Sequence, residues 1–203
     1  MALTQSQIAR QERMLDVASR LATEGGFDAV QMRTVAAEAD VALGTLYRYF
    51  PSKEHLLVSA MLRQIGELAD RLSVRPPRGD DASERVVDVL RRANVALQRL
   101  PNFTLAVVRA LASGDESVAP AVREVREAMR AIIVGAIGRG QISERDLLVA
   151  EILEEVWLSA LVAWISGVVP AAAVAQKLEA ATHLLLEPVI QLDPVAATAE
   201  QHG

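Results

Sequence analysis

The chain has no cysteine, which excludes a disulfide scaffold and a thiolate metal site and fits a reducing compartment. Aromatic residues make up only 3% of it, so the few present carry information wherever they cluster. Its histidines are His55, His183 and His202. None has a partner at metal-ligand spacing or a nucleophile motif beside it, so no enzyme, metal or cofactor is expected. Gly138-Arg139-Gly140 lacks the third glycine of a nucleotide loop and follows a helical pattern, which makes it a helix stop. Sustained two-residue alternation between hairpin turns is missing, and no sheet is expected. The N-terminus lacks a basic start followed by an apolar stretch, so no signal peptide is expected. A basic footprint is missing too. Net charge is −5, and residues 1–60 hold six Lys/Arg against seven Asp/Glu. Any nucleic-acid contact must therefore come from local placement rather than bulk charge.

What is present is an apolar, helix-patterned chain of 203 residues, 51% of them apolar, enough for one or two domains with a real core. Prolines at 51, 76, 77, 101, 120, 170, 188 and 194 punctuate it, and the stretches between them read as helices. The first runs from Ser6 to Glu24, with Thr4 and Gln7 spaced as a capping box and Ile8, Gln11, Leu15, Ala18 and Ala22 on one stripe. Gly25-Gly26 ends it, and Phe27 folds back as a core anchor. The longest charge-free run, Val156 to Gln176, has the length of a membrane span. Gly167 and Pro170 split it, which predicts two buried helices of a soluble protein instead. The loop Ser73 to Ala82, with two prolines and mixed charges, joins a small N-terminal module to a larger helical domain.

Two very short helices, Arg33–Ala39 and Leu43–Tyr49, are separated by Asp40-Val41-Ala42, the geometry of a helix-turn-helix. In the second, Leu46 and Phe50 face inward, while a hydroxyl, two phenols and a guanidinium occupy the remaining face. Arg48 has the reach for guanine O6 and N7, and Thr45, Tyr47 and Tyr49 can donate to phosphates. Gly44 would let the backbone approach DNA closely. Lys53 adds a charge at a helix N-terminus. Tyrosines of this kind also pack simply as surface aromatics with one wet end.

Gln31-Met32-Arg33-Thr34-Val35-Ala36 and Val41 through Glu54 (VALGTLYRYFPSKE) closely resemble the TetR family of bacterial repressors over residues 8–60. That resemblance implies an all-α homodimer: an N-terminal three-helix DNA-binding domain over residues 1–52, and a helical effector-binding and dimerisation domain over 53–190. Residues 191–203 would form a disordered tail. GGFDAVQMR, DVALGTLYRYFPSKEHLLVSA and VWLSALVAWI are further similar to the KstR-type repressors of actinobacterial steroid (cholesterol) catabolism, which are released by a steroid acyl-CoA thioester. The family pattern implies base contacts from Leu43, Gly44 and Arg48, and phosphate contacts from Gln31, Arg33, Thr45, Tyr47, Tyr49 and Lys53. Three positions depart from it. Gln31 replaces a capping Thr, Asp40 a turn Gly, and Ala42 a Ser. The lost cap at Ala42 alone costs on the order of 1 kcal/mol.

In the C-terminal part, Trp157, Leu161 and Trp164 share one helical face, which serves either as plain core or as the wall of an effector pocket. Phe103, Val107, Met129 and Ile133 are the other candidate walls, with Arg109, Arg123, Arg126 and Arg130 as cations for a CoA tail. Small residues Ala160, Ala163 and Gly167, and the stripe Val174, Leu178, Ala181 and Leu185, are the candidate dimer seam. The expected partners are a second copy, a pseudo-palindromic double-stranded operator and a hydrophobic effector, steroid acyl-CoA among the candidates, with no membrane and a cytoplasmic location. A regulator of fatty-acid metabolism or drug efflux, and a helical lipid or acyl-CoA carrier that binds no DNA, remain as alternative readings.

Overall fold

The computed structural model describes residues 4–138 and 140–187. Among these, every regular element is helical, as expected: α1 Gln5–Ala29, α2 Met32–Glu38, α3 Leu43–Tyr49, α4 Lys53–Val74, α5 Ala82–Gln98, α6 Pro101–Leu111, α7 Ala119–Ile137, α8 Glu144–Ile165 and α9 Ala171–Leu186, with a 3-10 turn at Glu116–Val118 before α7. The tail expected over 191–203 lies outside the described residues.

Local chemistry accounts for the ends. Thr4 Oγ1 accepts the Gln7 amide at 3.3 Å while Gln7 Oε1 accepts that of Thr4 at 2.7 Å, the reciprocal bonding of a capping box. Ser52, Asp81 and Ser143 accept from the first turns of α4, α5 and α8. The glycine pair breaks α1 as expected, but the chain resumes one helical turn and ends at Ala29. Gly26 takes φ 69°, open to glycine at no steric cost, and a Cβ on Gly25 would lie 2.6 Å from that of Ala29. Of the expected α1 stripe, Leu15, Ala18 and Ala22 are buried, whereas Ile8 is exposed. Gly138, at φ 68°, caps α7, so it is the expected helix stop. The charge-free run divides where Gly167 and Pro170 predicted: α8 ends at Ile165 and α9 starts after Pro170. Among the described residues no helix is long and apolar enough to cross a membrane.

The long helix α4 organises the fold. Its N-terminal half packs on α1, and it also lies against α6 and α7. Arg63 of α4 reaches Glu12 at 3.1 Å and Asp16 at 2.7 Å on α1. Arg20 of α1 pairs with Glu24 and with Glu38 of α2. One continuous apolar core runs from Met14 through Phe50 and Phe103 to Leu178. Both α4 and α5 rest on α7 and are joined by the loop 75–81. The distance along α4 matters for function: its 22 residues span about 33 Å at roughly 1.5 Å per residue.

Candidate functional site

At the head of the molecule, α2 and α3 meet across a turn in which Asp40 has φ 53°, a conformation that Asp tolerates better than most residues. Leu46 and Phe50 are buried and seat α3 on the core. The opposite face is polar and open: Gly44, Tyr47 and Arg48 are exposed, and Leu43, Thr45 and Tyr49 are half-buried. Tyr49 also packs on Phe50, with ring centroids 6.3 Å apart. A Cβ at Gly44 would meet nothing within 4 Å. The fold itself has no steric need for glycine there. Gln31 and Arg33 are exposed beside the start of α2. Neither Gln31 nor Ala42 caps its helix through a side chain, so first-turn amides of both remain for solvent or phosphate.

Lys53, expected as a phosphate contact, is also held within the fold. It is half-buried, donates to the Phe27 carbonyl at 3.3 Å and stands 3.8 Å over the Phe27 ring. Arg109 of α6 lies 4.1 Å over the same ring and 3.3 Å from Asp28. The one ring thus meets a cation from α4 and a cation from α6. Phe27 is half-buried and packs against the core, as expected, and it also joins head to body through these two cations.

Replacing Arg48 with alanine is expected to cost about 1–3 kcal/mol on the cognate DNA and to relax preference at one base position, as loss of a bidentate base contact does. Lys53→Ala should weaken all sequences alike and flatten the salt dependence. Anisotropy titrations against a panel of single-base operator variants separate the two. An equal loss of sequence preference in both variants would overturn the assignment.

In the body, an open cleft of about 1140 Å³ lies between the C-terminal half of α4 and α5. It adjoins a small inner space of about 20 Å³ lined by Met61, Ile65 and Leu68 of α4, Ala93 and Leu97 of α5, Met129 of α7 and Trp157 of α8. Two of the expected pocket residues, Met129 and Trp157, therefore line it. Phe103, Val107, Ile133 and Leu161 are packed in the core and line neither space, and Trp164 is a half-buried residue at the core's edge. Helical periodicity finds the buried face but not which part of it is left unfilled. The opposing residues on α4 and α5 were missed because each looked like ordinary amphipathic spacing.

The cations expected at the pocket mouth lie elsewhere. Arg109 holds Phe27, Arg126 and Arg130 lie 3.5 and 3.8 Å from Glu154, and Arg123 is exposed on α7. None lines the cleft.

The expected dimer seam also divides. Ala160, Val174 and Leu178 are buried in the protomer's own core, where α9 packs on α5 and α8. Their side chains are committed to that core and offer little surface to a second copy. Ala163, Ala181 and Leu185 are half-buried and Gly167 is exposed. The outward apolar positions lie one step round the helices: Leu158 and Val162 on α8, and Leu184 on α9, 81% exposed.

A helix-turn-helix with an open polar reading face, mounted through one long helix on a helical body with a cleft, defines a DNA-binding regulator with a separate ligand-sized site. Comparison with known proteins is specific. The family described as bacterial regulatory proteins, tetR family, matches residues 14–60, and the tetracyclin repressor-like C-terminal domain matches residues 79–185. The chain is 44% identical to the HTH-type transcriptional repressor KstR of Rhodococcus jostii (strain RHA1) over 181 residues, covering 89% of this chain and 84% of that protein. Among solved structures, a TetR transcriptional regulator from Rhodococcus sp. RHA1 superposes with a TM-score of 0.84 at 34% identity, covering 91% of this chain and all of that one. The transcriptional regulator FadR from Bacillus subtilis, solved in complex with stearoyl-CoA, shares the fold at a TM-score of 0.64 and 19% identity, covering 87% and 97% of the two chains. The chain belongs to the TetR family and is a KstR-like regulator within it. It is accordingly a TetR-type transcriptional repressor, and its relatives are regulators rather than enzymes.

Proposed function

We propose that this repressor controls steroid-catabolism genes and is released by a steroid acyl-CoA thioester whose apolar part enters the space beneath Trp157. The observation that carries this is the position of that space, walled by α4 on one side and by α5, α7 and α8 on the other. At about 20 Å³ it has room for about one water, whereas ligand pockets hold roughly 300–1,000 Å³. Ligand entry must therefore part α4 from its neighbours. Because Lys53 and the head sit at the far end of the same helix, that displacement reaches the reading face. The 44% identity to a KstR repressor supports the steroid class. The stearoyl-CoA in the Bacillus subtilis FadR structure supports a thioester and keeps a fatty acyl-CoA as the second reading.

Operator recognition rests on Leu43, Gly44 and Arg48 at the bases and on Gln31, Arg33, Thr45, Tyr47, Tyr49 and Lys53 at the phosphates. The active form is a cytoplasmic homodimer joined through the outer apolar faces of α8 and α9, reading half-sites about 34–36 Å apart or a multiple of that. The reading head occupies residues 1–52 and the effector and dimer domain 53–190.

The test is a fluorescence-anisotropy titration of the purified protein on its own promoter DNA, repeated with a steroid acyl-CoA and with stearoyl-CoA. Release by the steroid thioester alone is expected, and DNA should weaken thioester binding by the same factor that thioester weakens DNA binding. Release by stearoyl-CoA alone would move the assignment to fatty-acid metabolism. An absence of reciprocal weakening would defeat the release mechanism altogether.

A further inference from the structure

The cleft between α4 and α5 has an unusual lining. Arg71, Arg75, Arg78, Arg91, Arg92 and Arg99 face it, against three carboxylates, Glu67, Asp70 and Asp88. Asp88 is committed to the frame. Burial pushes its carboxyl up, but the Arg78 amide, Arg91 and Arg92 outweigh that and hold it below the ordinary range. Arg92 in turn donates to the carbonyls of Arg75 and Pro76, which holds the loop 75–81 against α5. Arg71 pairs with Glu67 at 3.5 Å, both side chains more than half exposed, a contact worth little. Arg75, Arg78 and Arg99 are exposed, and their guanidinium groups form no ion pair among the described residues. Three unneutralised guanidinium groups around one concavity raise the local potential for anions and present forked donors suited to phosphate.

The second observation lies deeper. Gln64, Leu68, Arg71 and Ala96 line both the cleft and the inner space, so the two adjoin across these side chains. At the inner end the indole N–H of Trp157, a residue only 6% exposed, is buried with no hydrogen-bond partner. A buried unpaired donor is costly, and an oxygen on an incoming molecule would satisfy it.

We infer that the arginine cleft docks the phosphorylated headgroup of a coenzyme A thioester, whose acyl part continues inward to Trp157. This rests on the effector reading above and places its polar half at residues outside those that periodicity had offered. Several linked phosphates match several converging arginines, and a free carboxylic acid brings a single charge. Operator DNA is not the occupant: Arg71 lies 18 positions beyond Lys53 on α4, about 27 Å along the helix axis from the reading head. Headgroup and acyl part together would wedge α4 from α5 along the cleft that already lies between them.

The experiment compares the full-length protein with a triple variant, Arg75→Gln, Arg78→Gln and Arg99→Gln, by isothermal titration with stearoyl-CoA, a steroid acyl-CoA, stearate and free coenzyme A. Operator affinity of the variant, measured without effector, serves as the folding control and should be unchanged. The expected result is a loss of roughly tenfold or more in thioester affinity, an affinity in the wild type that falls with salt far more than in the variant, and no change for stearate. Thioester affinity equal in both proteins would overturn the headgroup site while leaving the effector reading intact. A wild-type protein that binds neither thioester would overturn both.

Discussion

Phe50→Ala is expected to destabilise the protein by about 3–5 kcal/mol, the range for emptying a buried aromatic site, and to abolish specific DNA binding before the body unfolds. Phe50 is 1% exposed. It closes α3, its amide donating to the Leu46 carbonyl at 2.8 Å, and its ring lies 6.0 Å from that of His55 in the first turn of α4. It is the side chain that seats the reading helix on α4. The helix has seven residues, too few to persist without tertiary contacts. A cavity at Phe50 removes the seat, and hydrogen exchange should then show α2 and α3 opening at lower free energy than α7 and α8. A variant that melts in one transition with unchanged operator affinity would refute this.

The second large effect is at Glu154, on the α7–α8 seam. Its side chain is 9% exposed, and both carboxylate oxygens lack a hydrogen-bond partner. Burial pushes its pKa from 4.5 up to about 7, outweighing Arg130 and Arg126, while Glu151 and Glu155 push the same way. A carboxyl whose pKa is higher folded than unfolded binds its proton more tightly in the native state. The stability it contributes is complete below about pH 4.5 and is lost as pH rises to about 7, on the order of 3 kcal/mol. Glu154→Gln keeps the shape without the buried charge. Its melting temperature should exceed that of the parent at pH 8 and match it near pH 5. His55 acts in the opposite sense over this range, since burial lowers its pKa, but it is common to both proteins and cancels in the comparison. Parallel pH profiles for the two proteins would show that the ion pairs with Arg126 and Arg130 outweigh burial.

The head was legible because its determinants are local. Short helices, an αL-tolerant residue at Asp40 and a polar face on α3 are properties of residues near one another in the chain. The missing caps at Gln31 and Ala42 were equally visible, and both helices form without them because Val35, Ala36 and Leu46 are buried. Lys53 shows the limit. Its position at the start of α4 is local, but the ring it covers is 26 residues earlier, and Arg109, which shares that ring, is 82 residues later on α6. The same limit separates Val174 and Leu178 from Leu184. All lie on one amphipathic helix, and periodicity cannot say which side meets the protomer's own core.

The sequence by itself determined the helices and most of their ends, the division of the charge-free run, the polar face of α3 and, by resemblance, the class of regulator. The helices, their ends and the polar face depend on propensity, capping and spacing within a few turns, whereas the class of regulator came from the resemblance of residues 8–60 to a known family. Only the tertiary structure decided where the body is left unfilled, which arginines stand free around that space, and which apolar stripe faces outward. Those properties come from how α4, α5, α7 and α8 pack on one another, and long-range contacts of that kind leave no periodic trace in the chain.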